Sequence, residues 1–530
     1  MPPTPFQPSH STPFKSTLSS SVQPAHLHTP YTGATASSSA AGTDAPLKLS
    51  ELDARDWSYH AEGGLNLLLR YTPFNGTAKG KGPGGRWQGK ALRLVKVPRA
   101  SSAPDSQPNG NMSGTSGNDE EKEEEEGEQF RREVVLPLLC GDGALLPHST
   151  PIKVEDARDR AVLETLAARI EIHRPRERRQ KDGINTEAHK VWMIDDLCST
   201  SIAEEQVLTV EIKPKWGYLP SSSSLSSISS PNVELKTRHS RFRMHKVARH
   251  PDPSSLAHAE FEGHYDPLDL YSCQTDRMQK ALDALAADWQ QSGGTTNNLR
   301  LFWNGEVVKP TQTAELDEIK AYLSAGTSSA SSSDDLATLL ASHLISPLAA
   351  PRLQSTSDRA ESVLSRLSHL QSALDPRDIE GLAADWQRLV SAPLGTVPAD
   401  ATPEQAQLLL PPTVVEVAAA IGDPSQPVDA AAPPPSAPTT IAELRRATLR
   451  FLVASTFKDC SIMLRIVQPR GVDTADVDAG PASREVEIKL IDLDMKPIGK
   501  LAKFLQTDEE VIEKFRAWWA TIGEGHSRES

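Results

Sequence analysis

The sequence predicts an α+β protein of two lobes, and three observations favour that class. Predicted strands and helices are mixed along the chain and fall into two groups. The length of 530 residues is enough for two or three domains. Hydrophobic residues make up only 38% and prolines number 41, so we expect an ordered core diluted by disordered inserts.

Low-complexity segments set the predicted domain limits. Residues 1–46 are rich in proline, serine, threonine and alanine, which predicts a disordered tail. We expect an N-terminal lobe over 47–203 and a C-terminal lobe over 204–525. Disordered inserts on the surface of these lobes are predicted at about 98–128, 219–232, 323–360 and 396–440.

The N-terminal lobe is predicted to alternate strands with helices. The segment 57–71 predicts a strand, a glycine turn and a second strand, and 90–97 a third strand. We expect helices at 129–139 and 156–172. The segment HKVWMIDDL (189–197) predicts a strand that ends on two acids.

The C-terminal lobe shows equally clear patterns. Strands are expected at 205–215, 461–467 and 485–494, a hairpin at 299–308, and helices at 269–291, 440–456 and 507–522. The last helix is predicted to open with a capping box of Thr507 and Glu510.

Charge and cysteine content exclude several function classes. The acidic run 119–128 supplies half of the net charge of −14, and no direct nucleic-acid partner is expected. Four widely spaced cysteines favour a reducing compartment over a disulfide framework. The chain has no apolar run of about 18 residues and no apolar N-terminal region, so we expect neither a membrane span nor a secretory signal.

The segment VEIKPKWGYLP (210–220) places two lysines at the end of an apolar strand. Because side chains alternate along a strand, Glu211, Lys213 and Lys215 share the face opposite Val210 and Ile212. Two ammonium groups about 6–7 Å apart would suit a polyanion. A solvated face of an edge strand is the alternative interpretation.

The segment EVEIKLIDLDMKP (485–497) raises a similar question. Alternation puts Asp492 in line with core residues, where a carboxylate is costly unless it is paired or bound to metal. Mg²⁺ with nucleotide phosphates would satisfy it, and a helix-capping role is the alternative. Lys496 and Lys500, four residues apart, could lie on one side of a following helical turn.

Two further patterns suit phosphate groups. Gly63 and Gly64 between two strands would let the backbone approach phosphates, although most such turns are simple hairpins. Arg241, His245 and Arg249 recur every four residues and make one stripe on a helix. Taken together, the patterns predict phosphoryl transfer involving a heavily phosphorylated ligand.

Several segments in order carry a resemblance to a known family. They are EGGLN (62–66), RLVK (93–96), VEIKPKWGYLP (210–220), RFRMH (241–245), YDPLDLYS (265–272), NNLRLFWNG (297–305), DCSIML (459–464) and LIDLDMKP (490–497). The chain resembles the inositol-pentakisphosphate 2-kinase family, of a fungal type with long low-complexity inserts. The resemblance implies a two-lobed inositol-phosphate kinase fold, distantly like protein kinases.

The activity implied by the resemblance is transfer of the γ-phosphoryl group of ATP to the 2-hydroxyl of inositol 1,3,4,5,6-pentakisphosphate. The product is inositol hexakisphosphate, phytate, and the implied cofactors are ATP and Mg²⁺. A broader inositol-phosphate kinase and a non-catalytic inositol-phosphate-binding scaffold are the alternatives. The expected protein is a monomer in nucleus and cytoplasm.

The resemblance also implies roles for individual residues. Lys213 and Asp459 would be catalytic, and Asp492 would hold Mg²⁺. Residues implied at the nucleotide are Glu62, Gly63, Gly64, Asn66, Arg93, Asp195, Asp196, Glu211 and Arg300. Residues implied at the inositol phosphate are Arg178, Lys215, Arg241, His245, Arg249, Asn297, Asn298, Lys496 and Lys500.

Two departures from the family pattern qualify these expectations. Some plant members carry a structural zinc site whose cysteines precede the RFxMH motif, but 233–240 contains no cysteine, so we expect no zinc here. Phe504 stands where some members have a tyrosine that touches substrate, so one hydroxyl contact is expected to be missing.

Overall fold

The computed structural model describes residues 47–63, 66–74, 87–99, 125–199, 205–325, 335–354, 360–422, 436–467 and 485–526. The chain divides into two compact units, as the patterning predicted. The first comprises Met1–Glu124 and Ser149–Asp195, and the second comprises Glu125–His148 and Asp196–Ser530. The boundary therefore falls before the predicted 203/204, and the helical segment predicted at 129–139 belongs to the second unit.

The first unit is built on an antiparallel sheet in the order β1-β2-β3-β6-β4, with β5 paired to β3. Its strands are β1 (Trp57–Glu62), β2 (Asn66–Tyr71), β3 (Lys90–Pro98), β4 (Ser149–Lys153), β5 (Asp182–Ile184) and β6 (Lys190–Asp195). Helices α1 (Ala157–Glu171) and α2 (Arg176–Lys181) follow β4. The apolar face of α1 packs in one core with the inward side chains of the sheet. Leu163 and Leu166 of α1 and Leu92 of β3 belong to this core.

The second unit contains a five-stranded antiparallel sheet in the order β13-β12-β7-β8-β9. Its strands are β7 (Leu208–Ile212), β8 (Leu299–Trp303), β9 (Glu306–Val308), β12 (Ser461–Val467) and β13 (Glu485–Ile491). The short strands β10 (Leu353–Gln354) and β11 (Ala360–Glu361) form a separate pair. β7 lies between β12 and β8, so the alternative of an edge strand is wrong.

This unit has two apolar cores: one is shared by the sheet and the helices between residues 267 and 459, and the other joins the segment 235–261 to the last helix. The helices surround the sheet. They are α3 (Ser222–Ser227), α4 (Val233–Arg238), α5 (Arg241–Arg249), α6 (His258–Gly263), α7 (Pro267–Leu270), α8 (Thr275–Gln291), α9 (Thr313–Ala325), α10 (Leu336–Ala349), α11 (Val363–Leu374), α12 (Asp378–Val390), α13 (Pro403–Gln407), α14 (Val414–Ile421), α15 (Ile441–Asp459) and α16 (Leu501–His526). A π-helical segment, Arg131–Val135, precedes them and continues as Leu136–Leu138. None of the helices in the described ranges is long and apolar enough to span a membrane.

Parts of all four predicted disordered inserts are helical, and for those parts the prediction was wrong; the insert at 98–128 is helical from residue 125. The serine run at 219–232 contains α3, whose Leu225 is fully buried. The range 323–360 contains α10, and 396–440 contains α13 and α14. These segments contain apolar residues at helical spacing, such as Leu336, Leu340 and Leu344, which are buried in the core. The prediction relied on their low complexity and missed this spacing. Most of the other residues predicted as disordered lie outside the described ranges.

The predicted capping box at Thr507 is also wrong. Helix α16 begins at Leu501, so Thr507 is interior, and its hydroxyl donates to the Lys503 carbonyl at 2.8 Å. The 3₁₀ turn Ile498–Lys500 leads directly into α16, and residues such as Leu501 and Ala502 are good helix formers.

Candidate active site

Strand β7 brings two lysines to the interior of the second unit. All five strand residues are buried, and the ladder with β12 pairs Ile212 with Ile462. The chain then leaves the sheet as the lysine loop, residues 213–217. Because β7 is central and antiparallel to both neighbours, both lysines lie beside the segments that lead into β12 and β8 and beside the segment that follows β13.

Lys213 forms an ion pair with Asp492. Its Nζ lies 2.8 Å from Oδ2 of Asp492, which follows strand β13 in a left-handed conformation with φ of 61°. Burial lowers the pKa of Lys213, but the carboxylates of Asp492, Asp459 and Glu211 outweigh burial and raise it overall. Lys213 is therefore a full cation, while half of the Asp492 side chain stays exposed.

Asp459, at the end of α15, is held by two lysines. Lys496 Nζ lies 3.1 Å from Oδ2, and Lys215 Nζ lies 3.4 Å from Oδ1. Burial raises the pKa of Asp459, but Lys496, Lys215 and Lys213 bring it down to about 2. Burial, with help from Lys213 and Lys496, lowers the pKa of Lys215 despite its carboxylate partner. We call these five residues, Lys213, Lys215, Asp459, Asp492 and Lys496, the lysine–carboxylate cluster.

Ser461 connects Glu211 to this cluster. Its buried hydroxyl lies 2.9 Å from Oε1 of Glu211 and 3.3 Å from Oδ2 of Asp492. One hydroxyl hydrogen is shared between two carboxylates, which fixes both acids near each other. Arg300, largely exposed on β8, adds a guanidinium 3.6 Å from Glu211.

Helix α5 carries the predicted basic stripe. Arg241 donates through Nε to Asp508 at 2.8 Å and through Nη2 to the Thr507 carbonyl at 3.1 Å. Burial, reinforced by Arg241, Arg249 and Lys215, lowers the pKa of His245 to about 4. His245 is thus neutral at pH 7, and its Nε2 lies 3.4 Å from Arg249 Nε.

A buried ion cluster contacts Arg241 through Asp508. Lys236, 2% exposed, pairs with Asp378, with Glu380 at 2.8 Å and with Asp508 at 2.6 Å. Removing the lysine would leave buried carboxylates unpaired, so we assign this cluster a structural role. It holds Asp508, and through Asp508 it holds Arg241.

The remaining predicted substrate residues of the second unit differ in their surroundings. Asn298 is buried, and its amide donates to the Lys213 carbonyl at 3.1 Å, which indicates support of the lysine loop. Asn297 is exposed. Burial and the proximity of Lys496 lower the pKa of Lys500.

In the first unit, Glu62 belongs to a buried ion network. Its carboxylate lies 2.6 Å from Arg174 Nη2 and 3.2 Å from Lys96 Nζ, and both cations also contact Asp182. Lys96 further donates to the Gly63 carbonyl at 2.7 Å. The network thereby fixes the start of the glycine turn, and Gly64 lies outside the described residues.

Other predicted nucleotide and phosphate residues are spread over both units. Arg93 on β3 lies over the Trp192 ring at 5.5 Å, and Asn66 accepts the Gly63 N–H through its carbonyl. Asp195 pairs with Lys90 at 2.7 Å. Arg178 is part-buried on α2 of the first unit. In the second unit, buried Asp196 accepts the Cys198 N–H, as in an Asx turn.

Two buried residues of the site escaped the sequence interpretation. Ser461 opens strand β12 at the cluster, and its signal was a polar residue at the start of an apolar strand. Gln371, on α11, contacts the lysine loop. Its helix shows ordinary amphipathic spacing, so the sequence carried no sign of that contact.

The chain is similar to members of one known family. The family model described as inositol-pentakisphosphate 2-kinase matches residues 59–510. A protein of that name from Cryptococcus neoformans var. neoformans serotype D (strain JEC21) is 29% identical over 490 residues, covering 90% of this chain and 97% of its own. One from Arabidopsis thaliana is 27% identical over 492 residues, covering 88% and 94%. The chain belongs to the inositol-pentakisphosphate 2-kinase family.

Proposed function

We propose that the chain transfers the γ-phosphoryl group of ATP to the 2-hydroxyl of inositol 1,3,4,5,6-pentakisphosphate at the lysine–carboxylate cluster. The observation that carries the proposal is the convergence of three lysines and two aspartates from β7, α15 and the segment after β13. Phosphoryl transfer needs little covalent chemistry from the protein, so positioned cations and carboxylates can supply most of the catalysis.

Lys213 is assigned to the moving phosphoryl group. Its ammonium is charged, mostly buried and aimed at Asp492, so it can neutralise charge that develops on the equatorial oxygens. A cation held by a carboxylate needs no reorganisation when the phosphoryl group arrives.

Asp459 is assigned to the acceptor hydroxyl, which it orients. With a pKa of about 2 it stays ionised over the physiological range and accepts a hydrogen bond readily, yet it is a weak base. Orientation of the 2-hydroxyl is therefore its main contribution, with proton transfer accompanying phosphoryl transfer.

Asp492 is assigned to Mg²⁺. Its half-exposed carboxylate, with a buried carboxylate of Glu211 joined to it through Ser461, supplies the oxygen ligands that Mg²⁺ prefers. Asp492 and Glu211 would hold the ion, which would supply positive charge to the phosphates of ATP. Arg300 and Glu211 are assigned to the nucleotide in the same unit.

The inositol phosphate is assigned to cations of the second unit. Lys215, Lys496 and Lys500 surround Asp459, while Arg241 and Arg249 flank a neutral His245 on α5. Several cations fixed by packing would recognise a polyphosphate by the placement of its phosphates. In the first unit, Glu62, Gly63, Asn66, Arg93 and Asp195 remain assigned to ATP, and Arg178 to a phosphate.

The proposal is tested by an assay with ATP, Mg²⁺ and each pentakisphosphate isomer, followed by the Lys213→Ala variant. We expect wild-type protein to act on the isomer with a free 2-hydroxyl and to form hexakisphosphate. Lys213→Ala should fold and lose about 10²–10³ in kcat, because a preorganised cation at the transferred group is missing.

Lys280→Ala is the matched control. Lys280 also pairs with an aspartate, Asp269 at 3.2 Å, but on the exposed side of α8, so its kcat should stay at the wild-type value. Wild-type turnover by purified Lys213→Ala would refute the assignment. Phosphorylation of other hydroxyls would favour a broader kinase, and binding without turnover would favour a scaffold.

A further inference from the structure

Helix α11 contacts the lysine loop through two side chains, the buried amide of Gln371 and the hydroxyl of Ser368. Gln371 has no exposed surface. Its Oε1 accepts the N–H of Gly217 at 2.7 Å, and its Nε2 lies 3.1 Å from the Lys215 carbonyl and 3.0 Å from the Phe457 carbonyl. Because a backbone N–H can only donate, the contact with Gly217 fixes which end of the amide is oxygen.

These contacts join two separate parts of the site. Lys215 belongs to the lysine loop, and Phe457 lies two residues before Asp459 in the last turn of α15. The side chains of Lys215 and Asp459 themselves approach only to 3.4 Å. One amide therefore ties together the backbones that carry both partners of that ion pair.

The lysine loop needs such support. Lys215 has φ of 66°, a left-handed conformation that is strained in a residue other than glycine. Tyr271 donates to the Lys215 carbonyl at 3.2 Å, and Tyr265 donates to the Pro214 carbonyl at 3.0 Å. These side chains come from outside the loop's own segment, and of Tyr265, Tyr271 and Gln371 it is Gln371 that also bonds to a carbonyl of α15.

We propose that Gln371 is a positioning residue that sets the spacing between Lys215 and Asp459 by bonding to the backbone of both segments. The inference rests on the proposed function, because the proposed function assigns Lys215 to the inositol phosphate and Asp459 to the acceptor hydroxyl. Losing the amide would allow the loop to relax at Lys215 and would move the cation away from the acceptor site.

The test uses the full chain with Gln371→Glu, which keeps the shape and the acceptor for Gly217. It replaces the amide N–H groups by an oxygen that faces two carbonyls. We expect KM for the pentakisphosphate to rise about tenfold and kcat/KM to fall about 100-fold, the loss typical of a misplacement near 1 Å. KM for ATP should not change.

Leu367→Val is the matched control on the same helix. Leu367 is also fully buried but packs only in the apolar core, so the variant should lose stability and keep both KM values. A merely structural role of Gln371 would likewise lower the active fraction without changing KM. The rise in KM caused by Gln371→Glu should also be smaller in a Lys215→Ala background, because the effects of substitutions at coupled residues do not add.

Ser368→Ala provides a milder variant in case Gln371→Glu does not fold. The Ser368 hydroxyl donates to the Gly217 carbonyl at 2.7 Å, so its loss loosens the same loop, and KM for the pentakisphosphate should rise a few-fold. Wild-type KM values in the folded variants would overturn the positioning role. Absence of turnover in the wild-type chain would instead overturn the proposed function.

Discussion

The two aspartates of the lysine–carboxylate cluster differ in how their oxygens are occupied. Both oxygens of Asp459 face lysines, whereas the contacts of Asp492 with Lys213 and Ser461 both use Oδ2; the two side chains are equally half exposed. Asp492 also sits in a left-handed conformation, a strain that is common at ligand sites. An accessible carboxylate oxygen in such a place suits a metal ion, while Asp459 suits a hydroxyl.

Asp492→Asn should therefore weaken Mg²⁺ activation. Loss of the anionic ligand should lower kcat and raise the Mg²⁺ concentration for half-maximal activity at least about tenfold, since even residues behind a ligand cost that much. A titration of activity against Mg²⁺ at saturating substrates measures it.

Asp494→Asn is the control for this titration. Asp494 is 74% exposed and pairs with Arg131 at 2.9 Å, a contact of little energetic consequence, so its Mg²⁺ dependence should match wild type. An unchanged Mg²⁺ dependence in Asp492→Asn would exclude Asp492 as the ligand.

At the scale of elements, the lysine loop contains a glycine, Gly217, whose position leaves no room for a side chain. A Cβ at Gly217 would lie 2.5 Å from the Tyr271 ring, and the ring is itself buried and hydrogen-bonded to the loop. We expect Gly217→Ala to cost about 1–3 kcal/mol of unfolding free energy through overpacking. Displacement of the loop should also lower kcat/KM about 10- to 100-fold.

Gly263→Ala is the matched control. Gly263 ends α6, and nothing lies within 4 Å of a Cβ built there, so stability should change by less than about 0.5 kcal/mol. Chemical denaturation measures the unfolding free energy of both variants, and steady-state kinetics measures their kcat/KM. A Gly217→Ala protein with wild-type kcat/KM would show that the loop does not need its observed position.

Strands were predictable where the pattern was local. The alternation around Val210 and Ile212 predicted β7, and period-3.6 spacing predicted α8 and α15. The strand ends at Ile212 rather than at the predicted residue 215, and Lys215 has φ of 66°, so strand alternation does not place the two lysines. Pairings such as Lys213 with Asp492 join residues hundreds of positions apart, so only the family resemblance linked them. The contacts of Gln371 had no signal of either kind, because they depend on which helix turn meets the loop.

On the scale of the whole molecule, the cluster lies at one end of the antiparallel pair β12 and β13. Strands β12 and β13 pair without interruption from Ser461↔Ile491 to Val467↔Glu485. Ser461 stands at the cluster, whereas residues 468–484 follow the opposite end, about 20 Å away at 3.4 Å per residue. The uninterrupted register implies that these strands can be connected by a much shorter segment.

Replacing residues 468–484 by Asn-Gly should therefore leave the kinetics unchanged. Asn-Gly favours the tight turn that joins directly paired antiparallel strands. We expect kcat and both KM values to stay within about twofold, as for other surface connections. The unfolding free energy should rise by about 1–2 kcal/mol, because closing a shorter loop costs less entropy. A chain with a scrambled 468–484 segment of the same length should keep both the kinetics and the unfolding free energy of the wild type. A kcat/KM that falls tenfold in both variants would show that residues 468–484 act on the site.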